Sequence, residues 1–131
     1  MDNTDFNMIV DRRLVECRKI LSRKAEEYAG DVDRLENFKR AGRLQRVEPE
    51  TALLGMWAKH LVSVIMMMED VELEIIPSQE YVDEKIGDLI NYAILLEALL
   101  TERRRAMLEK DITPIGQGTG TACDCTRFAA R

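Results

Sequence analysis

The chain has few residues that interrupt helices or build metal and redox sites. Its 131 residues include three prolines, seven glycines, three cysteines and one histidine, and aromatic residues make up 5% of the total. Three cysteines cannot all pair within one chain, so the sequence favours a reducing cytoplasm over a disulfide-rich secreted domain. The two neighbouring thiols, Cys123 and Cys125, supply half of the four ligands that a structural zinc site requires.

A basic excess and a long apolar run are also missing. The 19 basic side chains are outnumbered by 24 acidic ones, for a net charge of −5, which argues against a generic nucleic-acid binder. The longest run with little polarity, Leu61 to Met68, is far shorter than a membrane span. The first five residues are polar and acidic, unlike a signal peptide. We therefore expect neither a membrane nor direct nucleic-acid binding.

A helical period is present along most of the chain. Apolar residues recur every three or four positions, and no strand-like alternation persists. The pattern predicts an all-α, four-helix-bundle-like fold with helices over about 4–29, 33–42, 48–70 and 78–109. A capping box at Asp33 and Glu36 begins the second helix, Gly42 ends it, and Ser78 caps the fourth. We predict a single helical domain over 1–110 and a flexible Gly/Thr-rich tail over 111–131.

The apolar residues also predict which faces are buried. One stripe of the first helix is assigned to the core: Phe6, Val10, Leu14, Cys17, Leu21, Ala25 and Tyr28. The third helix is apolar nearly all round and is expected to be central, with one broad face formed by Leu53, Leu54, Trp57, Leu61, Val64, Ile65 and Met68. The fourth helix has a core stripe of Val82, Ile86, Leu89, Ala93, Leu96 and Leu100.

Leu95 and Leu99 lie opposite that core stripe of the fourth helix. A lone bundle would leave one of the two faces wet, so we expect a homodimer or a higher homo-oligomer. The alternative is that the tail or the first helix covers this face.

Polar residues that suit a metal or phosphate site occur on three of the predicted helices. Glu84, Asp88 and Asn91 share one face of the fourth helix, and a partly dry carboxylate pair requires a cation such as Mg²⁺. Lys59 and His60 interrupt the apolar third helix and are candidates to bind phosphate. The alternatives are a solvated acidic face for the first group and a satisfied core histidine for the second.

Two further groups are candidates for the same site. Glu69 and Glu72 form a carboxylate pair near the end of the third helix, and Lys24 and Glu27 lie three residues apart on the first. The first pair is either metal-binding or solvent-exposed, and the second pair alone predicts a surface salt bridge.

The segment from Glu84 to Tyr92 resembles the MazG-like all-α nucleoside-triphosphate pyrophosphohydrolases. Glu84 and Asp88 match carboxylates that hold Mg²⁺ (or Mn²⁺) in that superfamily. Three other marks are similar to a phage-associated branch: Lys24 to Tyr28, Asp33 to Lys39, and the pair Lys59 and His60. The resemblance covers about residues 15–100 and implies a cytoplasmic protein, in the host cytoplasm if a phage encodes it.

The resemblance implies cleavage of a (d)NTP to the monophosphate and pyrophosphate. It assigns catalytic roles to Glu27, Glu84 and Asp88. The metal ligands it implies are Glu84, Asp88, Glu27, Glu69 and Glu72. The implied nucleotide and phosphate ligands are Lys24, Arg34, Asn37, Lys39, Lys59, His60 and Asn91.

Lys85 stands where the superfamily often has a second glutamate, and a lysine cannot bind the metal. Two other hypotheses therefore stand beside the hydrolase. One is a non-catalytic relative that sequesters or senses a nucleotide, and the other is a helical interaction protein.

Overall fold

The computed structural model describes residues 1–28 and 33–112, and in this part of the chain every regular element is a helix. In chain order these are α1 (Asn3–Tyr28), α2 (Glu36–Gln45), α3 (Pro49–Glu72) and α4 (Gln79–Ile112). The all-α prediction is confirmed, and the predicted helix bounds are close for α1, α3 and α4. The predicted tail over 111–131, with Cys123 and Cys125, lies outside the described residues except for the last two backbone positions of α4.

Local chemistry sets two of the helix starts. Pro49 occupies the first turn of α3, where its missing N–H costs nothing. Ser78 caps α4, because its Oγ accepts a hydrogen bond from the Tyr81 N–H at 3.2 Å. Both starts agree with the prediction.

The capping box predicted for α2 does not form. Leu35 is the residue before the helix, and no side chain caps the first turn. Asp33 instead accepts a hydrogen bond from the Leu35 N–H at 2.9 Å and closes the turn that precedes the helix.

Gly42 was predicted to end α2, but it lies inside the helix. The helix ends three residues later, and Arg46 takes the left-handed conformation with φ 57°. Gly42 is buried because the returning chain crosses close to it: a Cβ there would lie 2.8 Å from the Val47 carbonyl oxygen. This glycine sets the close approach between α2 and the start of α3.

We expect Gly42→Ala to lower the free energy of unfolding by about 1–2 kcal/mol, since the backbone it meets must move. Gly55→Ala is the matched control, because nothing lies within 4 Å of the added methyl in α3. It should raise stability by about 0.5–1 kcal/mol through helix propensity. Urea unfolding of both variants measures the two signs, and a stabilised Gly42→Ala would contradict the close approach.

The core lies where α2 and α4 meet one side of α3. Its buried members are Leu35, Phe38, Leu53 and Leu99, and partly buried residues such as Trp57 and Leu96 pack against them. The predicted core stripe of α4 is therefore wrong at Leu99, which is 3% exposed, and at Leu100, which is half exposed. Leu35 and Phe38 cover the face that carries Leu99.

The face that α3 buries also differs from the predicted one. Leu53 and Met67 are buried, whereas Leu54, Leu61 and Ile65 from the predicted core face are exposed. The helix is thus not central: α2 and α4 contact one side and leave the other uncovered by described residues. It is the one described helix long and apolar enough to cross a membrane by length and composition, criteria that core helices of soluble proteins also meet.

α1 packs along α4 and is held to it by ion pairs at one end. The Arg13 guanidinium donates to an Asp83 carboxylate oxygen at 2.5 Å and to the Asp83 carbonyl oxygen at 2.9 Å. Of the predicted α1 core stripe, Cys17 is buried, but Phe6 and Leu14 are more than half exposed. Burial raises the pKa of the Cys17 thiol, which keeps it protonated.

Candidate functional site

A cavity of about 250 Å³ opens between α1, α2 and α4. Five residues predicted for the site line it: Lys24, Arg34, Asn37, Asp88 and Asn91. Its apolar lining consists of Ile20, Leu21, Phe38, Met56, Tyr92 and Leu95. Residues from four separate helices or turns therefore converge on one concave site, which is the usual form of a small-molecule pocket.

Asn91 forms the floor of the cavity. The residue is 5% exposed, and neither its Nδ2 nor its Oδ1 has a hydrogen-bond partner among the described residues. Leaving a buried amide without partners costs about 1–3 kcal/mol, so such groups are kept where water or a ligand satisfies them. Asn91 is a lining residue of the cavity, but its unpaired Nδ2 and Oδ1 have almost no accessible surface, so the side chain must turn for them to meet an occupant.

Asp88 lies one turn before Asn91 and is positioned from behind by α3. His60 Nδ1 and Asp88 Oδ2 are 3.0 Å apart, and both side chains are about four-fifths buried. The imidazole also lies against the Tyr92 ring, with 4.9 Å between the ring centroids. The prediction of His60 as a phosphate ligand implied that it lines the cavity, but it does not. It instead fixes the orientation of the Asp88 carboxylate, which does line the cavity.

Tyr92 follows Asn91 in sequence and supplies an aromatic wall. Burial, and to a lesser degree the nearby Asp88 carboxylate, raises the pKa of its phenol. The ring therefore stays neutral at physiological pH and keeps its O–H as a donor.

The rim of the cavity carries the positive charge. Lys24, Arg34 and Asn37 are all exposed, in contrast to Asn91 below them. Arg34 Nη2 donates to the Leu21 carbonyl oxygen at 2.5 Å, which ties the turn before α2 to α1 and holds the guanidinium at the rim. With Asp88 as the single carboxylate among the described lining residues, the lining carries a net charge of +1, which favours an anionic ligand.

Lys39, predicted as a phosphate ligand, is engaged elsewhere. Its Nζ contacts Asp33 at 2.8 Å and Glu102 at 2.6 Å, and it does not line the cavity. These two hydrogen bonds raise the pKa of Lys39, and the bond to Asp33 has the larger effect. The hydrogen bond from Lys39, and then the one from the Leu35 N–H, lower the pKa of Asp33. The network joins the start of α2 to α4.

The lowered pKa of Asp33 predicts a pH-dependent contribution to stability. A carboxyl whose folded-state pKa is depressed stabilises the fold above its usual pKa near 4, and this contribution is lost as the pH falls through the lower value. We expect Asp33→Asn to be about 1 kcal/mol less stable than the wild type at pH 7, and the difference to shrink as the pH falls below the usual carboxyl pKa of about 4.

Urea unfolding at a series of pH values measures this difference. Asp11→Asn, which replaces an exposed aspartate of α1, is the control. A difference between Asp33→Asn and wild type that persists at low pH would count against the ionic origin of the network's stability.

Besides His60 and Lys39, four more predicted site residues do not line the cavity. The Glu84 side chain is 61% exposed and pairs with Lys85 Nζ at 2.7 Å. Lys59 is exposed on α3 and is not a lining residue. Glu69 and Glu72 are also exposed, and the helical rise places their Cα atoms about 13 and 18 Å along α3 from His60, which faces Asp88. The side chain of Glu27 lies outside the described part of the chain.

The described side chains do not assemble a metal centre. Among them, no group of three His, Cys, Asp or Glu residues converges. In the cavity Asp88 is the single carboxylate that they supply, and one of its oxygens contacts His60. A divalent ion held by the protein takes more oxygen ligands than this, so the described residues do not fit a resident Mg²⁺ or Mn²⁺.

Several cavity residues were not predicted from the sequence. Phe38 and Met56 carry no distinguishing signal, because apolar residues recur throughout their helices. Tyr92 had one available signal: it lies four residues after Asp88, on nearly the same face of α4.

Fold and site together define an all-α protein with a polar-floored, cation-rimmed cavity at the junction of its helices. None of the family models, curated proteins and solved structures compared with the chain matches it.

Proposed function

We propose that the chain binds a nucleotide, a (d)NTP, in the cavity between α1, α2 and α4. The observation that carries this proposal is the unpartnered Asn91 amide on the floor of a cavity rimmed by two cations. An Asn side chain presents a donor and an acceptor side by side, the pattern that pairs with the edge of a nucleobase. A bound water could satisfy the Asn91 amide, but it would not account for Lys24 and Arg34 lining the same cavity.

The distribution of polarity orients the ligand. The floor combines the amide with the Tyr92 and Phe38 rings, which suits a flat, partly apolar base. Lys24 and Arg34 at the rim suit phosphate oxygens, since a guanidinium and an ammonium both form charge-assisted hydrogen bonds with phosphate. A cavity of about 250 Å³ encloses the base end of the ligand and leaves the phosphates at the exposed rim.

Calorimetric titration with the dNTPs and NTPs in EDTA tests the binding. We expect at least one nucleotide to bind, and Lys24→Met to weaken it about 10-fold through the loss of one charge-assisted contact. Lys19→Met is the control, because Lys19 lies on the same helix and pairs with Glu16 outside the cavity. No binding of any nucleotide up to about 1 mM would contradict the proposal.

A second candidate is the metal-dependent pyrophosphohydrolase that the family resemblance implies. One observation favours it: Asp88, a predicted catalytic and metal-binding residue, lies in the cavity beside Asn91. Because the described residues do not fit a resident metal ion, any Mg²⁺ or Mn²⁺ would arrive with the phosphates of the nucleotide.

Pyrophosphate release from each bound nucleotide separates the two candidates. An enzyme releases pyrophosphate with Mg²⁺ or Mn²⁺, stops in EDTA, and loses activity in Asp88→Asn but not in Asp70→Asn, an exposed residue of α3. Nucleotide binding without pyrophosphate release under any of these conditions identifies a non-catalytic nucleotide-binding protein.

A further inference from the structure

The outer side of α3 carries a heptad repeat of apolar residues. Leu54, Ala58, Leu61, Ile65 and Met68 follow one another at steps of four, three, four and three. This is the spacing of the contact residues in a coiled coil, and we call these five residues the α3 seam. All five are exposed, with 53% of Leu54, 40% of Leu61 and 58% of Ile65 accessible.

The α3 seam points away from the rest of the described structure. The buried residues of the same helix, Leu53 and Met67, face α2 and α4 instead. Val62, Met66 and Val71, each about half exposed, widen the apolar surface beside the seam. A soluble monomer rarely exposes so large a contiguous apolar patch, so the patch indicates an interface.

The size and charge of the patch fit a second copy of this chain. About half the surface of seven large apolar side chains amounts to several hundred Å², close to the roughly 800 Å² that each partner buries in a specific interface. Lys59 is the single Lys, Arg, Asp or Glu between Leu54 and Met68, and it is not one of the five seam positions. A face that is complementary to a copy of itself generates a closed dimer with a twofold axis.

We propose that two copies of the chain pair through their α3 seams in antiparallel orientation, with the twofold axis at Leu61. In this register Leu54 is level with Met68 of the partner subunit, and the small Ala58 lies within one residue of the level of the partner's Ile65, so large and small side chains alternate along about 21 Å of helix. A parallel pairing would instead bring together the Glu69 and Glu72 carboxylates of both copies at the negative ends of their helix dipoles.

This proposal is independent of the nucleotide site, because none of the seam residues lines the cavity. It also uses a different helix from the dimer predicted from the sequence, where either the core stripe of α4 or the face with Leu95 and Leu99 was expected to meet the partner. Leu99 is buried within the chain, and Leu95 lines the cavity.

Light scattering coupled to size exclusion tests the dimer in the full chain. We expect a molar mass of about 30 kDa, twice the 15.0 kDa of one chain. Ile65→Lys, which places a charge in the seam, should raise the dissociation constant at least about 100-fold. Val15→Lys is the control, because Val15 is a 64% exposed residue of α1 that lies off the seam. Nucleotide binding and circular dichroism report whether each variant is folded.

Cysteine cross-linking tests the orientation. With Cys123 and Cys125 replaced by serine, Leu61→Cys should form an interchain disulfide under mild oxidation, and Leu54→Cys should not. Efficient cross-linking of Leu54→Cys would instead support a parallel pair and overturn the antiparallel assignment.

Two outcomes would overturn the pairing itself: a monomeric wild type, and a folded Ile65→Lys variant that remains dimeric. If the wild type is monomeric, its binding to neutral lipid vesicles through α3 is measured next. Such binding would assign the seam to a membrane, in keeping with the apolar character of this helix.

Discussion

Replacing Asn91 with leucine is expected to raise the free energy of unfolding by about 1–2 kcal/mol and to weaken nucleotide binding at least about 30-fold. Leucine has nearly the shape of asparagine but no polar atoms, so the substitution removes a buried amide that has no partner among the described residues. The same change removes the donor and acceptor that the proposed ligand requires. A residue kept at the expense of stability is typical of a functional site.

Urea unfolding and calorimetric titration measure the two effects on Asn91→Leu separately. Asn7→Leu on the exposed side of α1 is the matched control and should change neither quantity appreciably. A large loss of stability in Asn91→Leu would show that the amide is satisfied within the protein. Unchanged nucleotide affinity would place the ligand elsewhere.

Leu53→Ala is expected to have the largest effect on stability, a loss of about 3–4 kcal/mol. Leu53 is 0% exposed and contacts the core formed with Leu35, Phe38 and Leu99, so its truncation removes buried apolar surface and leaves a cavity. For a domain of this size, such a loss is a large part of the total stability.

The neighbouring Leu54 provides the control for that prediction. Leu54 is 53% exposed in the α3 seam, so Leu54→Ala should cost the monomer less than about 1 kcal/mol and should instead weaken dimerisation. Urea unfolding at low protein concentration compares the two alanine variants. Equal losses of stability would contradict the observation that α3 buries Leu53 and exposes Leu54.

The sequence predicted the helices better than it predicted their buried faces. The starts at Pro49 and Ser78 depend on chemistry within one turn, which a local pattern reports directly. α3 and α4 carry apolar residues nearly all round, and periodicity then does not define which side meets the core. This is why Leu54 and Leu100 were assigned to the core and Leu99 to the outside.

Gly42 illustrates a second limit of the sequence. A glycine after an apolar stretch commonly ends a helix, and here it does not. Its role follows from the returning chain at Val47, whose carbonyl oxygen would lie only 2.8 Å from a Cβ atom added to Gly42. Only the tertiary path of the chain reveals such a contact.

The polar residues of the cavity were predictable because their positions were unusual. Asp88 and Asn91 share a helix face that continues into leucine. The partners of these residues were not predictable. His60 contacts Asp88, which is 28 residues away in sequence, and Lys39 contacts Glu102, which is 63 residues away. Both contacts depend on how the helices pack.

The central claim, that the Asn91 amide contacts a bound nucleotide, is tested most directly by nuclear magnetic resonance. The side-chain NH₂ signals of Asn91 can be assigned by their absence from the spectrum of Asn91→Leu. We predict that a saturating nucleotide shifts these signals strongly while those of the distant Asn7 stay in place. Asn91 signals that remain unchanged when calorimetry shows the nucleotide bound would contradict the account.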